Sequence, residues 1–245
     1  MKRQVLQRIK TGIPGLDGIL HGGFIQGNNT LLTGGAGTGK TIIGMQFLYN
    51  GVIESNEPGV FITLEEIPKE LRREALQFGW DLTTLEKQNK LAIIDAASAR
   101  AGLPTDEAYA VRRGFGINDL AEQIYMAANK INAQRVTIDS LSALGLRFDD
   151  LAGIRTAIFK LSALLRELST TSLMTSEIVG QGTYSRYGVE EFVAQGLILL
   201  YLDEKEGELR RSLIVRKMRS TAHSLKRYPF EISSRGIVVM PGEEV

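Results

Sequence analysis

The 245-residue chain has no cysteine, which removes disulfides, thiol catalysis and cysteine-based metal sites together. It also lacks a surplus of charge. With 29 basic against 28 acidic residues, no global field points to nucleic acid or an anionic membrane, and any such partner needs a local patch. Nowhere is there an apolar run of about 18 residues, the minimum for a membrane span. Met1-Lys2-Arg3-Gln4 leads into mixed polar sequence, not into the apolar stretch of a signal peptide. These absences lead to the expectation of a soluble cytoplasmic protein with no membrane partner. Internal repeats and low-complexity linkers are missing too. At 43% hydrophobic content the chain can build one sizeable core, so a single domain over residues 1–245 is expected.

What is present is more specific. Residues 34–41 read Gly-Gly-Ala-Gly-Thr-Gly-Lys-Thr, which fits the pattern G-x-x-x-x-G-K-[ST]. In such a loop Gly35, Ala36, Gly37, Thr38 and Gly39 present backbone N–H groups to phosphates, helped by the N-terminus of the next helix. Lys40 would reach the β- and γ-phosphates, and the Thr41 hydroxyl would hold Mg²⁺. A chance match in a chain of this length is on the order of one per cent. The flanks agree with the motif: Asn29 to Thr33 reads as a strand, and Ile42 to Leu48 as a helix with a broad apolar face.

Further strands are expected at Gly59–Leu64, Leu91–Asp95, Arg135–Asp139 and Ser172–Ser176, with helices at Pro68–Phe78, Ile117–Ile131 and Leu151–Leu168. The first thirty residues read as an ordered loop and Ala96–Gly116 as a long mobile one. Strands alternating with helices imply an α/β fold with a mostly parallel sheet covered on both faces. The extended runs Leu197–Leu202, Ser212–Met218 and Gly236–Met240, separated by short charged turns, predict antiparallel hairpins continuing that sheet.

Ligands of such sheets sit at the carboxyl ends of the strands. Asp139 ends one strand and is placed to hold Mg²⁺. Glu65 and Glu66 end another; Glu65 is assigned as the base acting on the attacking water and Glu66 as its support, against the alternative of a solvated pair at a helix start. Glu177 follows a third strand, as a γ-phosphate sensor or as a loop cap. Lys217 and Arg219, two apart on an extended run, read either as charge protection of an edge strand or as cations reaching a neighbouring subunit's phosphates.

Beside these residues stand Thr11-Gly12-Ile13-Pro14-Gly15-Leu16-Asp17, His21-Gly22-Gly23, Thr137-Ile138-Asp139-Ser140, Met174-Thr175-Ser176-Glu177, Gly188-Val189-Glu190-Glu191-Phe192-Val193 and Lys217-Met218-Arg219-Ser220-Thr221-Ala222-His223, with Tyr228-Pro229-Phe230 after them. Over nearly its whole length the chain resembles a single-domain member of the KaiC branch of RecA-like ATPases. The resemblance implies a RecA-like P-loop core, ATP and Mg²⁺ as ligands, homohexameric rings with ATP between subunits, and tandem glutamates as catalytic carboxylates. It also implies that Lys217 and Arg219 approach the ATP of the adjacent subunit, with Thr221 and His223 near ribose or base. Ser220 stands where this motif usually has glycine. Glu191 and Phe192 stand where the clock protein's second domain has its phosphorylated Ser-Thr pair, so autophosphorylation there is not expected.

The leading expectation is a slow Mg-ATPase acting as an oligomeric regulatory switch with a protein partner. A RadA-type recombinase paralogue is the alternative from another class. Residues 176–192 disfavour it, with Arg186 alone against Glu177, Glu190 and Glu191, while Arg100, Arg112 and Arg113 would supply its pore-lining cations. A third reading is an autokinase using Thr183, Ser185 or Ser220.

Overall fold

In the computed structural model, which describes residues 6–111, 116–146, 150–180 and 182–243, the apolar runs of the sequence lie side by side as strands of one sheet. In chain order the elements are β1 (Arg8–Ile9), α1 (Leu16–Ile19), β2 (Phe24–Ile25), β3 (Asn29–Gly34), α2 (Lys40–Ser55), β4 (Gly59–Thr63), α3 (Pro68–Gln77) and α4 (Leu82–Lys87). Then come β5 (Leu91–Asp95), α5 (Ala97–Ala101), β6 (Tyr109–Ala110), α6 (Ile117–Ile131), β7 (Arg135–Asp139), a 3₁₀ segment (Leu141–Leu146), α7 (Leu151–Glu167) and β8 (Thr171–Glu177). The chain continues through α8 (Glu190–Val193), β9 (Gly196–Lys205), β10 (Glu208–Met218), β11 (Arg227–Ser233) and β12 (Gly236–Val239).

Among the described residues the main sheet has ten strands in the order β12-β11-β10-β9-β3-β8-β7-β4-β5-β6. From β9 to β6 neighbouring strands run parallel; β10, β11 and β12 are added antiparallel. The central strands read as unbroken apolar runs because both their faces are covered. Leu32, Phe61 and Ile93 pack toward α2, α3 and α4, while Leu31, Ile62 and Ile94 pack toward α6 and α7. Pro68 opens α3, where a missing N–H costs nothing.

Three expectations change. Residues 6–30 are ordered, as expected, but they carry the two-stranded antiparallel sheet β1–β2 and the short α1. Ala96–Gly116 is not structureless where it is described: α5 follows β5, and β6 pairs with it, the Val111 N–H donating to Asp95 O at 2.9 Å. Such short elements leave no periodicity to detect. Arg112 and Arg113 lie outside the described residues, as does the side chain of Arg100. Finally, β10 is not an edge strand, since β11 pairs with Ser212–Ile214; the edges are β12 and β6. That pairing ends at Ile214, so Lys217 lies beyond the cover of β11.

Candidate nucleotide site

β3 ends at Gly34, in register with Glu177 of β8, and the chain turns through 35–39 into α2. Gly39 caps that helix with φ +94°, a left-handed conformation that side chains avoid; an added Cβ would also meet Ile237 Cδ1 at 3.2 Å. Thr38 Oγ1 donates to Gly35 O at 2.8 Å and stiffens the loop. Lys40 Nζ lies across the loop, donating to Gly34 O and Gly35 O at 2.9 Å each. Burial lowers the pKa of this ammonium, while the charges of Asp139, Glu177 and Glu65 oppose that shift. Three of the expected acids therefore surround the lysine.

Thr41 Oγ1 donates to Asp139 Oδ2 at 2.7 Å, and the Thr175 hydroxyl donates to Asp139 Oδ1. Asp139 is only 6% exposed, and burial raises its pKa against those two hydrogen bonds and Lys40. Ser140 Oγ donates to Glu65 Oε1 at 2.9 Å. Glu66 is half-buried, and burial, followed by the charges of Glu74, Asp139, Glu65 and Glu70, pushes its carboxyl up to about 7. Glu177 accepts from Arg186 Nη1 at 2.6 Å, a pairing that pins the following loop. The structure thus brings residues 35–41, Glu65, Glu66, Asp139 and Glu177 together. A cavity of about 270 Å³ opens beside the loop, lined by Gly35, Ala36, Thr38, Ile178 and Leu200 to Asp203. A larger one, about 800 Å³, lies by β6 and involves none of these residues.

Lys217, Arg219, Thr221 and His223 are not in that cluster. Met218 pairs with Gly196 and Gly196 with Thr30, the beginning of β3, whereas the phosphate loop leaves its end. Four residues of strand at about 3.3 Å each put roughly 13 Å between the two ends before the loop begins. Lys217 Nζ donates to Glu191 O at 2.8 Å and Ala194 O at 2.7 Å, while Arg219 is exposed. His223 is half-buried, its Nδ1 3.0 Å from Ser224 O. Ser220 adopts φ +56°, which explains why glycine is usual there.

The family comparison agrees with this geometry. A family model described as "ATPase: KaiC" matches residues 9–244. This chain belongs to that family. A UPF0273 protein of Methanocaldococcus jannaschii is 46% identical to this KaiC-family chain, covering 96% of it and 97% of the relative. The circadian clock oscillator protein KaiC of Synechococcus elongatus is 41% identical over 98% of the chain, which spans 45% of that protein's length. Among solved structures, the KaiC-like protein PH0186 of Pyrococcus horikoshii superposes with a TM-score of 0.85 at 44% identity, over 97% of this chain and all of that one. The α/β fold with antiparallel C-terminal strands is that of this neighbour.

Several side chains that sequence reasoning left without a role support the site. Ser140 orients Glu65. Glu190, fully buried, accepts from Ser176 Oγ at 2.9 Å and Ser185 Oγ at 2.7 Å as well as from the Tyr187 and Val189 N–H groups. Tyr187 donates to Ser142 O and accepts from the Gly145 N–H, tying the segment after β7 to the loop after β8. A buried glutamate is uncommon enough to need such partners. Nothing in its local sequence marks it as buried. Ser185 is also buried between Glu190 and Glu191, which closes it as a phosphoacceptor in this conformation.

Proposed function

We propose that this KaiC-family chain is a single ATPase domain that binds ATP with Mg²⁺, hydrolyses it slowly and acts as an oligomeric switch with ATP between subunits. The observation that carries the proposal is the convergence of Lys40 and Thr41 with Asp139 at the carboxyl ends of β3 and β7. Thr41 and Asp139 offer hard oxygen donors, and among the described residues no cluster of three acidic or histidine side chains builds an all-protein cage. That donor set suits Mg²⁺, which keeps water and substrate phosphates as ligands. When bound, the ion would neutralise charge on the β- and γ-phosphates.

The loop N–H groups and Lys40 bind and orient the triphosphate. Glu65, held by Ser140, orients the attacking water. Glu66, which burial raises to about 7, lies beside Glu65 as a carboxylate able to take up a proton near neutral pH. Lys217 and Arg219 cannot reach the loop of their own chain, so they act on the ATP of a second copy, with Thr221 and His223 beside its ribose or base. A ring closed head to tail, of which a hexamer is the expected form, gives every site such a neighbour.

The testing experiment is phosphate release from Mg-ATP, with and without single-stranded DNA, across a salt series. Slow turnover indifferent to DNA supports the switch. Strong stimulation that fades with salt favours the recombinase reading instead. Loss of ATP binding in Lys40→Ala is required in either case.

A further inference from the structure

The N-terminal motif Thr11…Asp17…Gly22-Gly23 takes no part in the chemistry above, yet its geometry is tightly determined. The Thr11 N–H and Oγ1 both donate to Asp17 Oδ1 at 2.8 Å, closing the turn. Gly23 has φ +110°, and a Cβ there would fall 1.9 Å from Ile9 O, so only glycine lets the second arm lie against the first. Arg8 spans the resulting hairpin. Its Nη1 donates to Leu20 O at 3.1 Å and Gly23 O at 2.9 Å, and its Nη2 donates to Thr221 Oγ1 at 2.8 Å. All three acceptors are neutral oxygens, so this guanidinium serves as a rigid fork and not as half of an ion pair.

Thr221 sits at the end of the turn that follows β10. Its N–H donates to Met218 O at 3.2 Å, and the Arg219 N–H donates to Gln195 O at 3.0 Å, so the backbone of the turn is anchored at Arg219 and at Thr221. The same hairpin grips α2, whose first turn completes the phosphate loop: Gly12 O accepts from Asn50 Nδ2 at 2.6 Å and Gln46 Nε2 at 3.3 Å. The hairpin therefore touches both the helix of one nucleotide site and the segment assigned to the next.

We infer that Arg8 is a positioning residue for ATP hydrolysis, holding the Lys217–Thr221 segment at the angle at which it enters the adjacent copy's nucleotide site. The inference rests on the proposal that this segment acts in trans. Arg8 touches no phosphate itself; it acts through Thr221.

The test compares Arg8→Ala and Arg219→Ala, each alone and in mixed oligomers with excess Lys40→Ala. A Lys40→Ala chain has a defective phosphate loop but an intact trans segment. Alone, Arg8→Ala should lose roughly tenfold in kcat, the scale of one charge-assisted hydrogen bond, with KM for ATP changed by less than about twofold. Mixing should restore turnover, because an Arg8→Ala loop then faces a sound neighbour. Unchanged kcat in Arg8→Ala overturns the inference. So does a loss that Lys40→Ala cannot restore while it does restore Arg219→Ala, which would place Arg8 in its own site or in folding alone. If neither variant is restored, the trans proposal itself fails and the inference goes with it. Should Arg8→Ala not fold, Thr221→Val removes the acceptor and leaves the hairpin's own bonds. Arg8→Lys added to Thr221→Val should then lower kcat no further, and an additive loss counts against the inference.

Discussion

At the scale of single residues, buried charge makes the sharpest predictions. The Glu66 carboxyl has an ordinary value of 4.5 and is raised to about 7 in the fold, so between those values the folded state binds the extra proton. Folding is therefore favoured on the acid side, and that contribution is lost as pH rises toward and past 7. In Glu66→Gln this dependence disappears. Its urea midpoint relative to the unmutated protein should be higher at pH 8 than at pH 5.5, and an equal offset at both would refute the assignment. Arg135 gives a second case, far from the chemistry. It is 1% exposed and bonds Glu57 Oε2 at 2.6 Å and Phe47 O at 2.8 Å, with its guanidinium 4.7 Å from the Phe47 ring. Removing one partner of such a pair strands the other, so Glu57→Ala should cost about 3 kcal/mol in urea unfolding. Gly51→Ala places a methyl 2.4 Å from the same side chain and should cost about 1–3 kcal/mol.

At the scale of elements, the segment from 176 to 194 is held by side chains more than by its own hydrogen bonds. α8 is one turn long, and Glu190 inside it satisfies two hydroxyls and two backbone N–H groups. Glu190→Ala would take the acceptor from the Ser176 hydroxyl and from the Tyr187 and Val189 N–H groups and leave Ser185 with Glu191, at a cost of roughly 2–3 kcal/mol. Because Lys217 Nζ hangs from Glu191 O and Ala194 O, the damage should spread to the end of β10. Faster amide exchange over 182–193, with a fall in kcat, is the expected readout. Legibility also varies at this scale. The central strands and the helices α2, α3, α6 and α7 were legible because they are long and periodic. β11 was not, because Arg227-Tyr228-Pro229 resembles a turn; the proline is tolerated where the strand changes partner, from β10 at Arg227–Pro229 to β12 at Phe230–Ser233. The pieces α4, α5 and α8 are too short to carry a periodic signal.

At the scale of the whole molecule, the sheet puts the phosphate loop beyond the end of β3 and Lys217 with Arg219 beside its beginning. If each site is completed by a second copy, bound nucleotide stabilises the oligomer by mass action. Light scattering should then show a larger species with Mg-ATP than without nucleotide, and no such growth in Lys40→Ala.

The phosphate loop was decided by sequence alone: its eight residues are contiguous, and its function rests on backbone N–H groups whose geometry glycines at fixed spacing permit. The alternation of strands and helices was local in the same sense, and so was the pattern shared with the KaiC family. Tertiary structure decided the rest. Thr41 meets Asp139 across 98 residues of chain, Ser140 meets Glu65 across 75, and Arg8 meets Thr221 across 213. Those contacts depend on β3, β8, β7 and β4 standing next to one another and on β9 returning beside β3. Strand order is set by how the two layers of helices cover the sheet, a property that no single stretch of sequence carries.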